Sequence, residues 1–182
     1  YALKDVVSTE FNIEGYPDER YLKIIKDINP AQATLVPDPP NVLTSNAGWD
    51  TVNRAKELQP IIDQIKEMGV RVSIFVEPEI EIIEGAKALG TDRIELYTEM
   101  YASAYEDDPE KSIEKYVRAA QKAKELGIGI NAGHDLDLNN LNYLVKKIPY
   151  LDEVSIGHAL ICDALYLGLE NTIQLYLREL KV

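Results

Sequence analysis

Residues 71–97 read RVSIFVEPEIEIIEGAKALGTDRIELY. Two short runs rich in Val, Ile, Phe and Leu, Arg71–Val76 and Arg93–Tyr97, flank a stretch, Glu79–Leu89, with apolar residues at helical spacing and Gly90 after it. An apolar run of this length suits a strand covered on both faces, and Gly behind an amphipathic stretch is a helix stop. The segment is one strand–helix–strand unit, a connection that joins parallel strands.

The same unit recurs on both sides. Further strand-like runs are Glu10–Glu14, Gln32–Val36, Ile128–Asn131 and Glu153–Ile156. Helical patterns cover Pro17–Ile28, Pro60–Met68, Pro109–Leu126, Leu138–Ile148 and Ala159–Leu180. Strand ends fall near residues 14, 36, 76, 97, 131 and 156, about 28 residues apart on average, the period of a βα unit. Repeated βα units build a parallel sheet, either open and doubly wound or closed as a (β/α)8 barrel. A barrel takes ~250 residues, and two more units of about 28 would bring these 182 to roughly 238. The barrel reading therefore expects one α/β TIM-barrel domain over 1–182, its last six βα units, with two more in front. Tyr1, inside what reads as a helix tail (Tyr1–Asp5), agrees with that expectation.

Composition narrows the function. The chain is 46% hydrophobic and 27% charged, as soluble globular domains are. Nineteen Lys plus Arg against 31 Asp plus Glu leave a net charge of −12, without the broad basic field that non-specific binding to nucleic acid or anionic membranes requires. A single cysteine, Cys162, excludes intrachain disulfides and a Cys-built zinc site. No apolar run approaches the ~18 residues of a membrane span and no signal-peptide pattern opens the chain, so the expected compartment is the cytoplasm.

In a barrel, chemistry sits where strands run into βα loops. Glu14 ends the first strand, and Glu95 stands between Ile94 and Leu96 in the fourth. A carboxylate there is either functional or turned outward to a helix cation. Both histidines follow strands in Gly-His pairs, Gly133-His134 and Gly157-His158, and histidine is the side chain suited to proton transfer near neutrality. Ser155-Ile-Gly-His-Ala-Leu160 opens the last helix, where backbone N–H groups can hold phosphate without Lys or Arg. None of the six strands ends on a lysine suited to Schiff-base chemistry, which weighs against an aldolase-type barrel.

Phe11-Asn-Ile-Glu14, Leu35-Val-Pro37, Arg71–Phe75, Arg93–Thr98, Asn131-Ala-Gly-His-Asp-Leu136 and Ser155-Ile-Gly-His-Ala-Leu-Ile161 resemble the pyridoxine 5′-phosphate synthase family, in that family's order along the chain. The resemblance implies a (β/α)8 barrel assembled as homo-octamers. It also implies condensation of 1-deoxy-D-xylulose 5-phosphate with 3-amino-2-oxopropyl phosphate to pyridoxine 5′-phosphate, with release of phosphate and water and without metal or organic cofactor. By motif, Glu14 takes the place of the proton acceptor, His134 of the proton donor and Glu95 of the transition-state stabiliser. Thr44 matches a position binding the pentulose phosphate, and Gly157 and His158 the segment binding the aminoketone phosphate. Asp135 falls on that same ligand at a position where many members carry Gly. The family's first two units, with a second catalytic histidine and further phosphate-binding residues, have no counterpart in this sequence. The 182 residues alone are therefore expected to be inactive, either as part of a larger enzyme or as a non-catalytic fragment.

Overall fold

The computed structural model describes residues 1–39, 42, 47–148 and 150–181. Strands β1 (Asn12–Gly15), β2 (Gln32–Leu35), β3 (Arg71–Val76), β4 (Arg93–Tyr97), β5 (Gly129–Gly133) and β6 (Leu151–Ser155) form one parallel sheet in chain order. Helices α1 (Glu19–Ile28), α2 (Ala55–Glu67), α3 (Ile80–Ala88), α5 (Pro109–Leu126) and α6 (Leu141–Lys147) lie in the crossovers, with a short α4 (Glu99–Ala104) before α5. After β6 come α7 (His158–Leu167) and α8 (Leu169–Glu179).

Strand order decides between the two sheets the sequence allowed. A doubly wound sheet reverses direction at a switch point, and this one never does. Right-handed crossovers that always step the same way put every helix on one face. The other face must then curl on itself, and it does. Gln32 on β2 donates from Nε2 to Glu153 Oε2 on β6 at 3.0 Å, although four strand spacings in a flat sheet would part them by about 19 Å. Six parallel strands thus curl into part of a barrel.

Local sequence explains the elements. Asp18 caps α1 by accepting from Tyr21 N at 2.7 Å, and the helix buries Tyr21, Ile25 and Ile28 against the sheet. Losing such a cap costs about 1 kcal/mol. α5 starts with Pro109 in its first turn and has Gly127 in the left-handed conformation behind it, as the sequence reading expects, and the structure adds Asp108 as its cap. Three details differ from the sequence reading. Pro60 does not start its helix; α2 begins at Ala55, and Pro60 lies inside it without an N–H to donate. Ala159–Leu180 is not one helix, because Gly168 at φ 79° ends α7 and starts α8. α4 has too few residues to show a period; buried Tyr101 anchors it.

The strands are not apolar on both faces. Ala33, Leu35, Val72, Ile74, Val76, Ile94, Leu96, Ile130 and Ala132 join the main core with the helices. Alternate residues face the concave side and are mostly polar. At its N-terminal end Arg71 pairs with Glu10 and Glu153, and its Nε donates to Gln32 at 2.8 Å. Arg93 contacts Glu153 at 3.1 Å and Asn131 at 3.2 Å, and Asn131 donates to Glu153 at 2.7 Å. These charges satisfy one another and floor the barrel. Toward the C-terminal end a second apolar cluster, Val36, Phe75 and Tyr97, lines the way to the mouth.

Candidate active site

A cavity of about 530 Å³ opens at the C-terminal ends of the strands. Glu14, Glu95, His134, Asp135, Gly157 and His158 all line it, drawn together from four strand ends. Thr44 lies outside the described residues.

Glu95 is 1% exposed and faces the concave side, not a helix. The sequence left both orientations open; the register, which sets Glu95 beside Phe75 and Asn131, decides for the interior. Burial and, second, the charge of Glu14 push its carboxyl up to about 8, against a pull downward from the Ser155 hydroxyl. At neutral pH Glu95 is mostly a neutral acid. Its Oε2 is buried without a hydrogen-bond partner, so it has a polar atom free for a substrate. Room for this side chain comes from Gly133, where a Cβ would stand 2.3 Å from Glu95 Oε1.

Glu14, on the edge strand β1, is exposed, yet the protein crowding its carboxyl pushes it above its ordinary value, with His134 acting against and Asp38 in the same sense. The site so holds two carboxyls of unequal character: one shut in and protonated, one reachable and able to take up a proton. Separated environments of this kind divide acid and base roles.

His134 sits on a bent piece of backbone. It and Asp135 both have positive φ, 95° and 57°, rare for non-glycine residues and costing about 1–3 kcal/mol each. The Thr98 hydroxyl lies 2.7 Å from Gly133 O and 2.5 Å from His134 O, tying the turn to the end of β4. The imidazole meets Tyr97 edge-on with centroids 4.8 Å apart, and its Nδ1 lies 2.7 Å from Asp135 Oδ2.

Gly157 precedes α7, whose first turn begins with His158 and Ala159 at the cavity wall. The first amide groups of a helix have no partner within it and carry partial positive charge, which suits an anion. Among the described residues no group of three or more His, Cys, Asp or Glu is placed to hold a metal ion.

The family model described as pyridoxal phosphate biosynthesis protein PdxJ matches residues 1–182. The chain belongs to the PdxJ family. Its relatives include a pyridoxine 5′-phosphate synthase of Cytophaga hutchinsonii, 61% identical over 181 residues, which are all of this chain and 76% of that protein. Another, from Porphyromonas gingivalis, is 55% identical over 180 residues, 99% of this chain and 76% of that one. Two solved structures resemble it in fold alone. A Brucella melitensis HMG-CoA lyase superposes with TM-score 0.55 at 16% identity, over 92% of this chain and 61% of its own. A xylose isomerase domain protein of Planctomyces limnophilus gives 0.57 at 10%, over 96% and 73%.

Several residues of this PdxJ-family mouth were given no role from sequence: Phe75 in the cavity wall, Tyr97 against His134 and Thr98 beneath it. A signal existed. Arg71, Ser73 and Phe75, and Arg93, Glu95 and Tyr97, alternate with aliphatic residues, the period of one polar strand face.

Proposed function

We propose that the protein is a pyridoxine 5′-phosphate synthase, condensing 1-deoxy-D-xylulose 5-phosphate with 3-amino-2-oxopropyl phosphate and releasing phosphate and water. One observation carries the reading: a buried neutral carboxyl, an accessible carboxylate and a histidine share a cavity with a helix N-terminus. Imine formation, phosphate elimination, ring closure and dehydration each move protons between carbon, nitrogen and oxygen, so they need more than one acid–base group. Glu14 takes protons from the reacting carbons. His134 returns one to a departing oxygen. Glu95, neutral in its pocket, donates a hydrogen bond to oxygen that gains negative charge. The α7 N-terminus with Gly157 and His158 holds the aminoketone phosphate, which lets a chain of charge −12 bind an anion through amide dipoles. Asp135 adds to that side of the cavity, and Thr44 belongs to the pentulose phosphate.

The full-length protein, given both substrates, should release inorganic phosphate and form the pyridine ring, seen by its absorbance. Phosphate release with either substrate alone, or none with both, overturns the assignment. His158→Ala should raise KM for the aminoketone phosphate about 10-fold and leave kcat within about 3-fold, the pattern of lost ground-state binding. A fall in kcat at constant KM would move His158 into the chemistry.

The protein works as a homo-oligomer, an octamer by the family resemblance. Light scattering of the full-length protein should give a multiple of the chain mass. A monomer at assay concentration counts against it.

A further inference from the structure

We propose that Thr98 is a positioning residue for the reaction: its hydroxyl fixes the turn from which His134 enters the cavity. The role rests on His134 as the proton donor and adds what holds that donor in place.

Thr98 stands between β4 and α4, directly before the first helical residue. Threonine at such a position ordinarily turns its hydroxyl to the free amides of the first helical turn. Thr98 does not, and α4 starts without a side-chain cap. Its backbone, at φ −101° and ψ 8°, lies outside the extended region that a capping residue takes. The buried hydroxyl meets the loop after β5 instead, 2.7 Å from Gly133 O and 2.5 Å from His134 O. A six-residue helix thus goes uncapped while the loop of the next strand is held. That loop carries positive φ at both His134 and Asp135, and such strain persists only where the surroundings over-determine it.

The clamp has a firm base. Thr98 N donates to Gly133 O at 2.9 Å, and the Tyr116 hydroxyl donates to Tyr97 O at 2.9 Å. The Tyr101 hydroxyl donates to Asn140 O at 2.6 Å, and Asn140 donates from Nδ2 to Asp135 O at 3.1 Å. Thr98, Tyr101 and Tyr116 are all buried, so little water competes for these groups. A hydroxyl has one proton to give, and the two carbonyls share it. Without it Gly133 O keeps the Thr98 amide, whereas His134 O loses a donor at the residue whose side chain lines the cavity. The effect falls on the proton donor's own backbone.

The test compares Thr98→Val and Thr98→Ser with the parent in the full-length protein. Val has the shape of Thr without the hydroxyl, and Ser keeps the hydroxyl without the methyl. Assayed well below its melting temperature, Thr98→Val should lower kcat about 10–50-fold with KM within about 2-fold, and Thr98→Ser should stay within about 3-fold of the parent. In a His134→Ala background the Val change should cost less than about 2-fold, because it acts through the missing imidazole. Proton spectra of the His134 ring should show the shift imposed by the Tyr97 ring, edge-on at 4.8 Å, in the parent and in Ser, and lose part of it in Val. A Val variant that melts lower yet keeps kcat overturns the proposal, as do equal losses in Val and Ser or an undiminished Val effect without His134. If Val does not fold, Thr98→Ala is set against Ser with the same readings. If His134→Ala retained full kcat, the reading of His134 as donor would fail, and the ring spectra would still judge Thr98: an unchanged spectrum in Val overturns its hold on the turn.

Discussion

Glu95→Gln keeps a donor but loses the acidity of the carboxyl, which should cost about 10–10²-fold in kcat, and yet it should make the folded protein more stable. The second half follows from linkage. Glu95 titrates near 8 in the folded chain against an ordinary 4.5, because burial and the nearby Glu14 disfavour its charge. Below pH 4.5 both the folded and unfolded states hold the proton. Between 4.5 and 8 the unfolded chain gives it up and the folded one does not, so stability falls as pH rises, by up to about 1.4 kcal/mol for each pH unit. Above 8 the loss is complete. Gln carries no such proton, so the gain over the parent should be within about 1 kcal/mol at pH 5 and reach about 2–4 kcal/mol at pH 8. Urea unfolding of both proteins at the two pH values measures it. An equal difference at both would mean that Glu95 is ionised in the fold.

His134→Ala should lower kcat by about 10²–10⁴-fold, some 3–5 kcal/mol in the barrier, with KM within about 3-fold. The imidazole lies between the Tyr97 ring and the cavity, while His158, Glu14 and Glu95 reach that cavity from other strand ends. Truncation leaves Thr98 holding the turn through backbone oxygens, so the fold should survive. Phosphate release and product absorbance under saturating substrate decide it. A raised KM at unchanged kcat would make His134 a binding group and leave the proton donor to be found elsewhere. Set beside His158→Ala, the two histidines should separate cleanly into rate and affinity.

Much of this was readable before the structure. The repeat of apolar run, amphipathic stretch and glycine announced six βα units, because strand and helix periods are local properties of backbone geometry. Pro109 and Gly127 marked α5, and Gly133-His134 and Gly157-His158 marked the loops that carry chemistry, for helix ends and turns depend on a few adjacent residues. The reading failed at two places: Gly168 was a local stop signal passed over inside a run read as one helix, and Pro60 lies inside α2 rather than at its start.

Function depended on two further facts that only tertiary structure could decide. Chain-order pairing, and the curl that brings Gln32 to Glu153, chose a partial barrel over a doubly wound sheet, because both are built from the same units and differ only in how strands sort. Register then turned Glu95 inward, beside Asn131 and under Gly133, where burial and Glu14 keep its proton. The sequence by itself determined which residues stand at strand ends. Which face they share, and what that enclosure does to their charge, came from bringing strands distant in the chain around one cavity, since desolvation is a property of the surroundings and not of the residue.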